Sequence, residues 1–232
     1  MEASQYLPAS FLKRTPATLT VITTYRCNAA CKECCFESNP TVKGRLSLKQ
    51  IKENIQQAYD TYPDLELVVF TGGECFLLRD DLFKSIQYAS NLGLITRCVS
   101  NGFWGKDKEK SDFIVKKLLS AGISEMNFSS GVDHQQWVPF ESIVNASKAL
   151  VDSGIQTLVT IEKDTKDSIC LENAMRNPII DELQKNNLFS IMSNQWMPFY
   201  SDFKSRSEKN SDKSFLQKGC ELTWSSKFRH LS

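Results

Sequence analysis

Between residues 19 and 193, short β-type runs alternate with amphipathic helical segments, and no other feature constrains the fold as strongly. The β-type runs fall at 19–24, 65–71, 94–100, 123–129, 155–161 and 188–193. Ser47 and Gln50 form a capping-box pair that opens a helix running to Tyr59, with Ile51, Ile55 and Ala58 on one face. A helix over 80–91 turns Leu82, Phe83, Ile86 and Ala89 inward, and Gly93 sits where a left-handed C-cap belongs. Further helices read at 111–120 (ended near Gly122), at 139–152 (stopped by Gly154) and around 179–185. Strands alternating with helices predict βαβ units and a parallel α/β sheet with right-handed crossovers. About six such units suit either an open doubly wound sheet or an incomplete barrel, and periodicity does not choose between them.

A chain of 232 residues, 41% of them hydrophobic, can bury one ordinary core, placed here over residues 1–199. From residue 200 to 218 Ser, Lys, Asp and Asn dominate, so 200–232 reads as a polar linker with a short apolar return over 219–224. A net charge of +1 without a long basic run gives no footprint for nucleic acid. No apolar stretch approaches bilayer length, so no membrane span is expected. Nothing resembling a secretory signal opens the sequence, and the eight cysteines are therefore expected to be cytoplasmic thiols or metal ligands.

Three of those cysteines, Cys27, Cys31 and Cys34, follow the first β-type run in a CxxxCxxC spacing. Iron–sulfur cubanes are held by cysteine thiolates, one per iron, so three thiolates leave one iron open. Open coordination positions mark chemistry rather than support. The alternative is structural zinc, but closed zinc sites are built from paired Cys or His units. Here the histidines are His134 and His230, and Cys75, Cys98, Cys170 and Cys220 stand apart. Thr71-Gly72-Gly73-Glu74 follows the second run. Its glycines allow close backbone approach, and its carboxylate can accept from an ammonium group.

On this triplet and this Gly-Gly-Glu, the chain resembles the radical S-adenosylmethionine (SAM) enzymes. The resemblance implies a partial (βα)6 TIM-like barrel, and a [4Fe-4S] cluster on Cys27, Cys31 and Cys34. It implies SAM held by Gly72, Gly73 and Glu74, by Ser100 and Asn101 after the third run, and by Ser129 and Ser130 after the fourth. It also implies reductive cleavage of SAM to a 5′-deoxyadenosyl radical that abstracts hydrogen from a peptide or small-molecule substrate. The electron would come from a donor such as flavodoxin or ferredoxin. Peptide or protein substrates lead; a small molecule or glycyl-radical activation is the alternative within the class, and a zinc-binding module the alternative outside it.

Several residues depart from the family pattern or leave their role open. Glu33 stands where an aromatic residue usually precedes the third cysteine, leaving Phe36 or Phe76 to contact adenine. The Gly-Arg-Ala sequence common near the last strand of peptide-modifying relatives is replaced by Gln195-Trp196-Met197. Cys35 and Cys75 read as small buried residues. His134 could line the substrate cavity or cap the following helix. Cys220 lies twelve residues from the last residue given, without companion cysteines for an auxiliary cluster. A thiol there could instead donate hydrogen to a substrate radical. His134 and Cys220 are thus the candidate catalytic residues.

Overall fold

Ser47 caps the first helix as its spacing predicts: its Oγ accepts from the Gln50 amide at 3.3 Å, and Gln50 Oε1 accepts from the Ser47 amide at 2.9 Å. The computed structural model describes residues 15–163 and 169–195. Strand β1 (Thr18–Ile22) precedes the capped helix α1 (Leu48–Thr61), and β2 (Leu67–Thr71) follows it. A 3-10 turn over Cys75–Leu78 leads into α2 (Asp80–Asn91). Gly93 takes a φ of 79° and lets the Leu94 amide reach back to the Ala89 carbonyl at 3.2 Å, which turns the chain into β3 (Ile95–Ser100).

Helix α3 (Lys108–Ala121) begins three residues before the expected start because Asp107 caps it, accepting from the Lys110 amide at 2.8 Å. Strand β4 (Glu125–Gly131), α4 (Phe140–Asp152) and β5 (Gln156–Lys163) complete the next unit. Two short helices, α5 (Cys170–Met175) and α6 (Pro178–Leu183), precede β6 (Phe189–Gln195). The first of them was not legible: only Ala174 of its six residues is buried, so no apolar period marks it. The expectations for 200–232, including Cys220, lie outside the described residues.

All strand pairs are parallel, and the order β1-β2-β3-β4-β5-β6 follows the chain without reversal. A doubly wound sheet must reverse its order at a switch point; this one never does. Right-handed crossovers of constant direction place every helix on the same face. The sheet is therefore a partial (βα)6 barrel, left open because, among the described residues, β1 and β6 each have one strand neighbour. No helix among the described residues is long and apolar enough to cross a membrane.

Strand residues alternate cleanly between the two faces. Val21, Phe70, Cys98, Met126, Phe128 and Val159 point toward the helices and join Ile51, Leu82, Leu118, Ile143 and Leu150 in the core. Phe128 is 1% exposed, its ring 5.8 Å from that of Trp104, which in turn lies 5.2 Å from Phe76. Phe128→Ala is expected to destabilise the fold by about 3–5 kcal/mol, measured by denaturant unfolding. The opposite, inner face is mixed: Arg97 pairs with Glu125 at 2.8 Å across β3 and β4, Asn127, Ser129 and Thr160 are half-buried beyond them, and Val69, Val99 and Leu158 share their rows. Closed barrels fill this space with branched apolar side chains. Here branched apolar residues share it with groups that hydrogen-bond.

Candidate active site

The loop between β1 and α1 carries the three cysteines, and backbone pairing pins it across the end of β2. Thr23 donates to the Thr71 carbonyl through its amide at 2.8 Å and its hydroxyl at 2.9 Å. The Gly73 amide then donates to Thr24 O at 2.7 Å and the Glu74 amide to Arg26 O at 3.0 Å. A Cβ on Gly73 would stand 2.2 Å from the Arg26 carbonyl oxygen, and one on Gly72 2.3 Å from that of Thr24. The two glycines thus bring the cysteine loop, and not only a ligand, into close approach. The loop's far side is held by Asn39, whose carbonyl accepts from the Cys27 amide at 3.2 Å and whose side chain accepts from the Thr41 amide at 2.9 Å.

Cys27 is buried, while Cys31 and Cys34 are half-buried, and all three are free thiols. Burial pushes the Cys27 thiol up to about 11 and the Cys31 thiol up to about 12, with the other cysteines and nearby carboxylates adding to the shift. Three sulfurs that repel one another as thiolates, in a partly dry pocket, call for a bound cation. Among the described residues no three His, Cys, Asp or Glu side chains converge on a position for a single metal ion. Three cysteine thiols carried on one loop are the ligand type that iron–sulfur clusters use, one per iron, so the chemistry of the donor set fits such a cluster.

Glu74 lies fully buried beneath this loop. Its Oε1 accepts from the Phe76 amide at 3.0 Å, its Oε2 from the Asn101 amide at 2.9 Å, and the Ser100 hydroxyl bridges both oxygens at 3.1 and 3.0 Å. Burial raises its pKa to about 7, opposed by these donors. Its Oε1 also accepts from Cys75 Sγ at 3.9 Å, so four donors occupy the roughly four acceptor directions of the carboxylate. The ends of β2 and β3 are thereby tied together, and Asn101 extends the tie to Cys27 and Asn28.

The other expected residues are distributed less compactly. Ser129 is half-buried on the inner face, level with Thr160, whereas Ser130 is buried beside Ile161 and its Oγ accepts from Gln135 Nε2 at 3.2 Å. His134 does not cap α4, which has no side-chain cap; its Nδ1 lies 2.7 Å from Oε2 of Glu162 at the end of β5. Phe76 is 7% exposed and packs in the core against Phe83 and Trp104, which removes it as an adenine contact. Phe36 stays half-buried on the cysteine loop, edge-on to Tyr25. Cys35 is exposed, contrary to expectation, because it sits on the outer turn of that loop; Cys75 is buried as expected. The contacts of Asp133 and Glu162 have no mark in the local sequence. Asp133 Oδ2 accepts from the Glu33 amide at 3.3 Å, latching the cysteine loop to the end of β4. A lone acidic residue a hundred positions from its partner leaves no local signal.

The sequence model of the radical SAM superfamily matches residues 21–162, more than half of the chain. The protein is a member of the radical SAM superfamily. As such it is an enzyme of the class that uses SAM and an iron–sulfur cluster. Among curated relatives it is 28% identical over 169 residues to YydG of Bacillus subtilis (strain 168), a protein named for peptide biosynthesis, covering 72% of this chain and 50% of YydG. It is 40% identical over 79 residues to the AdoMet-dependent heme synthase of Oleidesulfovibrio alaskensis, covering 33% of this chain and 19% of that one. The chain thus spans half the length of YydG or less of each relative. Methylornithine synthase (PylB) superposes with a TM-score of 0.56 at 16% identity, over 80% of this chain and 55% of that one. Native anSMEcpe, solved with bound AdoMet and the Cp18Cys peptide, superposes at 0.51 with 13% identity, over 78% and 51%. At these identities the superpositions establish the radical SAM barrel alone.

Proposed function

We propose that this radical SAM protein modifies a peptide or protein by hydrogen abstraction. The observation that carries the reading is the tie from Glu74 through Asn101 to Cys27, which joins a three-thiol loop to a buried carboxylate in one site. Cys27, Cys31 and Cys34 would hold a [4Fe-4S] cluster, and Gly72, Gly73, Glu74, Ser100, Asn101, Ser129 and Ser130 would hold SAM. When bound and reduced by an external one-electron donor, the cluster would supply the electron that splits SAM into methionine and a 5′-deoxyadenosyl radical. The protein's own task is to position SAM and exclude water and stray hydrogen donors.

Glu74 and the Gly72–Gly73 backbone would meet the ammonium end of SAM at the strand ends beside the cysteine loop, and Ser129 lies on the inner face where a ribose would reach. The inner face, lined by Asn127, Thr160 and the Arg97–Glu125 pair, offers hydrogen bonds of the kind a peptide backbone accepts and donates. The similarity to YydG supports the peptide class over a small molecule. A one-electron donor such as flavodoxin or ferredoxin would complete the system.

Anaerobically reconstituted protein, given reductant, SAM and candidate peptides, is expected to form 5′-deoxyadenosine and to change the peptide's mass. Deoxyadenosine formed without any change in peptide, but with turnover of a small molecule, would reverse the substrate assignment. Glu74→Gln keeps the volume but cancels the charge. It is expected to weaken SAM binding roughly tenfold or more by calorimetry, the scale of a hydrogen bond to a charged group, with iron content retained.

A further inference from the structure

The Asn101 side chain is 7% exposed, and its two ends are distinguished by their partners. Its Oδ1 accepts from the Phe103 amide at 3.1 Å, so the amide nitrogen must face the other way. There Nδ2 donates to Asn28 Oδ1 at 3.0 Å and to Cys27 Sγ at 3.6 Å. The backbone of the same residue is clamped from behind, because its own N–H donates to Glu74 Oε2 at 2.9 Å. The Ala29 amide, at 3.4 Å, is a second donor to the same sulfur. As a free thiol Cys27 can offer a hydrogen toward Asn28 Oδ1, 3.9 Å away. As a thiolate ligand it can only accept, and both N–H groups then point at it.

We propose that Asn101 is a positioning residue of the metal centre, whose amide donates to the Cys27 sulfur and thereby raises the reduction potential of the cluster. This rests on the assignment of Cys27, Cys31 and Cys34 as cluster ligands. Hydrogen bonds to ligand sulfur stabilise the more negatively charged reduced state, and they are among the protein's main levers on cluster potential. The inference gives Asn101 a second task besides holding SAM. It also explains why Glu74 is buried and saturated with donors: the carboxylate fixes the backbone from which the sulfur's donor projects. Geometry of this kind is rigid, since Oδ1, the backbone N–H and Nδ2 are each held by a separate partner.

The test compares reconstituted wild type with Asn101→Leu, which keeps the side chain's branching and deletes the donor. Iron and sulfide content are assayed first, then the midpoint potential without SAM. The variant is expected to hold a full cluster whose reduction equilibrium is about tenfold less favourable, a fall of about 59 mV for a one-electron couple. Pulsed electron–nuclear measurements on reduced wild type exchanged into D2O provide the second readout, and they do not depend on the variant folding. They are expected to show an exchangeable deuteron coupled to the cluster whose nitrogen neighbour is labelled by [15N-amide]asparagine. A full cluster in Asn101→Leu with unchanged potential, or a wild-type spectrum without that asparagine coupling, overturns the inference and leaves the cluster assignment standing. Wild type that takes up no iron overturns the assignment itself, and the inference falls with it.

Discussion

Cys31→Ala is expected to abolish reductive SAM cleavage, with 5′-deoxyadenosine falling to the level of a protein-free control under anaerobic reducing conditions. Cys31 and Cys34 sit on a tight turn in which the Cys34 amide donates to the Cys31 carbonyl at 3.3 Å. Removing Cys31 leaves two thiols, and a four-iron group held by two protein ligands loses both its anchorage and the geometry of its open iron. Among the described residues no other cysteine stands ready to substitute. Cys35 is exposed on the outer side of the loop, and Cys75 is buried behind Glu74 with its Sγ 3.4 Å from the Val99 carbonyl. The barrel itself should be untouched, since Cys31 contributes nothing to the packed core. Deoxyadenosine formed by Cys31→Ala at the wild-type rate would remove the metal centre from the mechanism.

Gly73→Ala is expected to cause a large loss of stability. The added carbon would meet Arg26 O at 2.2 Å, Arg26 C at 2.6 Å and Tyr25 O at 2.9 Å, all backbone atoms of the cysteine loop. A side chain can swing away from such a contact, but a carbonyl already accepting from the Glu74 amide cannot move without breaking that bond. The cost should be about 3 kcal/mol, at the upper end for overpacking. At about 2–4 °C per kcal/mol for a domain of this size, thermal unfolding should shift down by roughly 6–12 °C. Iron incorporation should fall as well, because the displaced segment leads directly into Cys27. A melting curve that coincides with wild type, with iron uptake retained, would show that the loop does not rest on this glycine.

Much of the scaffold was legible in local patterns. The Ser47–Gln50 box, the left-handed turns at Gly93, Gly122 and Gly154, and the apolar faces of α1 and α2 are set by contacts within a few residues. The spacing of Cys27, Cys31 and Cys34 and the Gly-Gly-Glu run are equally local. Where side-chain fate depended on residues far away in sequence, local patterns could not reach it. Phe76 looked available for a ligand until the core claimed it through Trp104 and Phe83. Cys35 had the residue type of a buried position but the location of an exposed turn. His134 gave no hint of Glu162, and Glu33 none of Asp133.

Periodicity and cysteine spacing alone therefore determined an alternating α/β chain with a three-thiol loop after its first strand, because hydrogen-bonded turns, caps and ligand spacings are short-range properties. Tertiary structure alone decided that the sheet never reverses, that its inner face carries the Arg97–Glu125 pair, and that Glu74, Asn101 and Cys27 form one connected group. The physical reason is that strand order and the meeting of strand ends are long-range choices. They follow from how whole βα units stack, and a hydrogen bond between residues 27 and 101 exists only once three strands stand side by side.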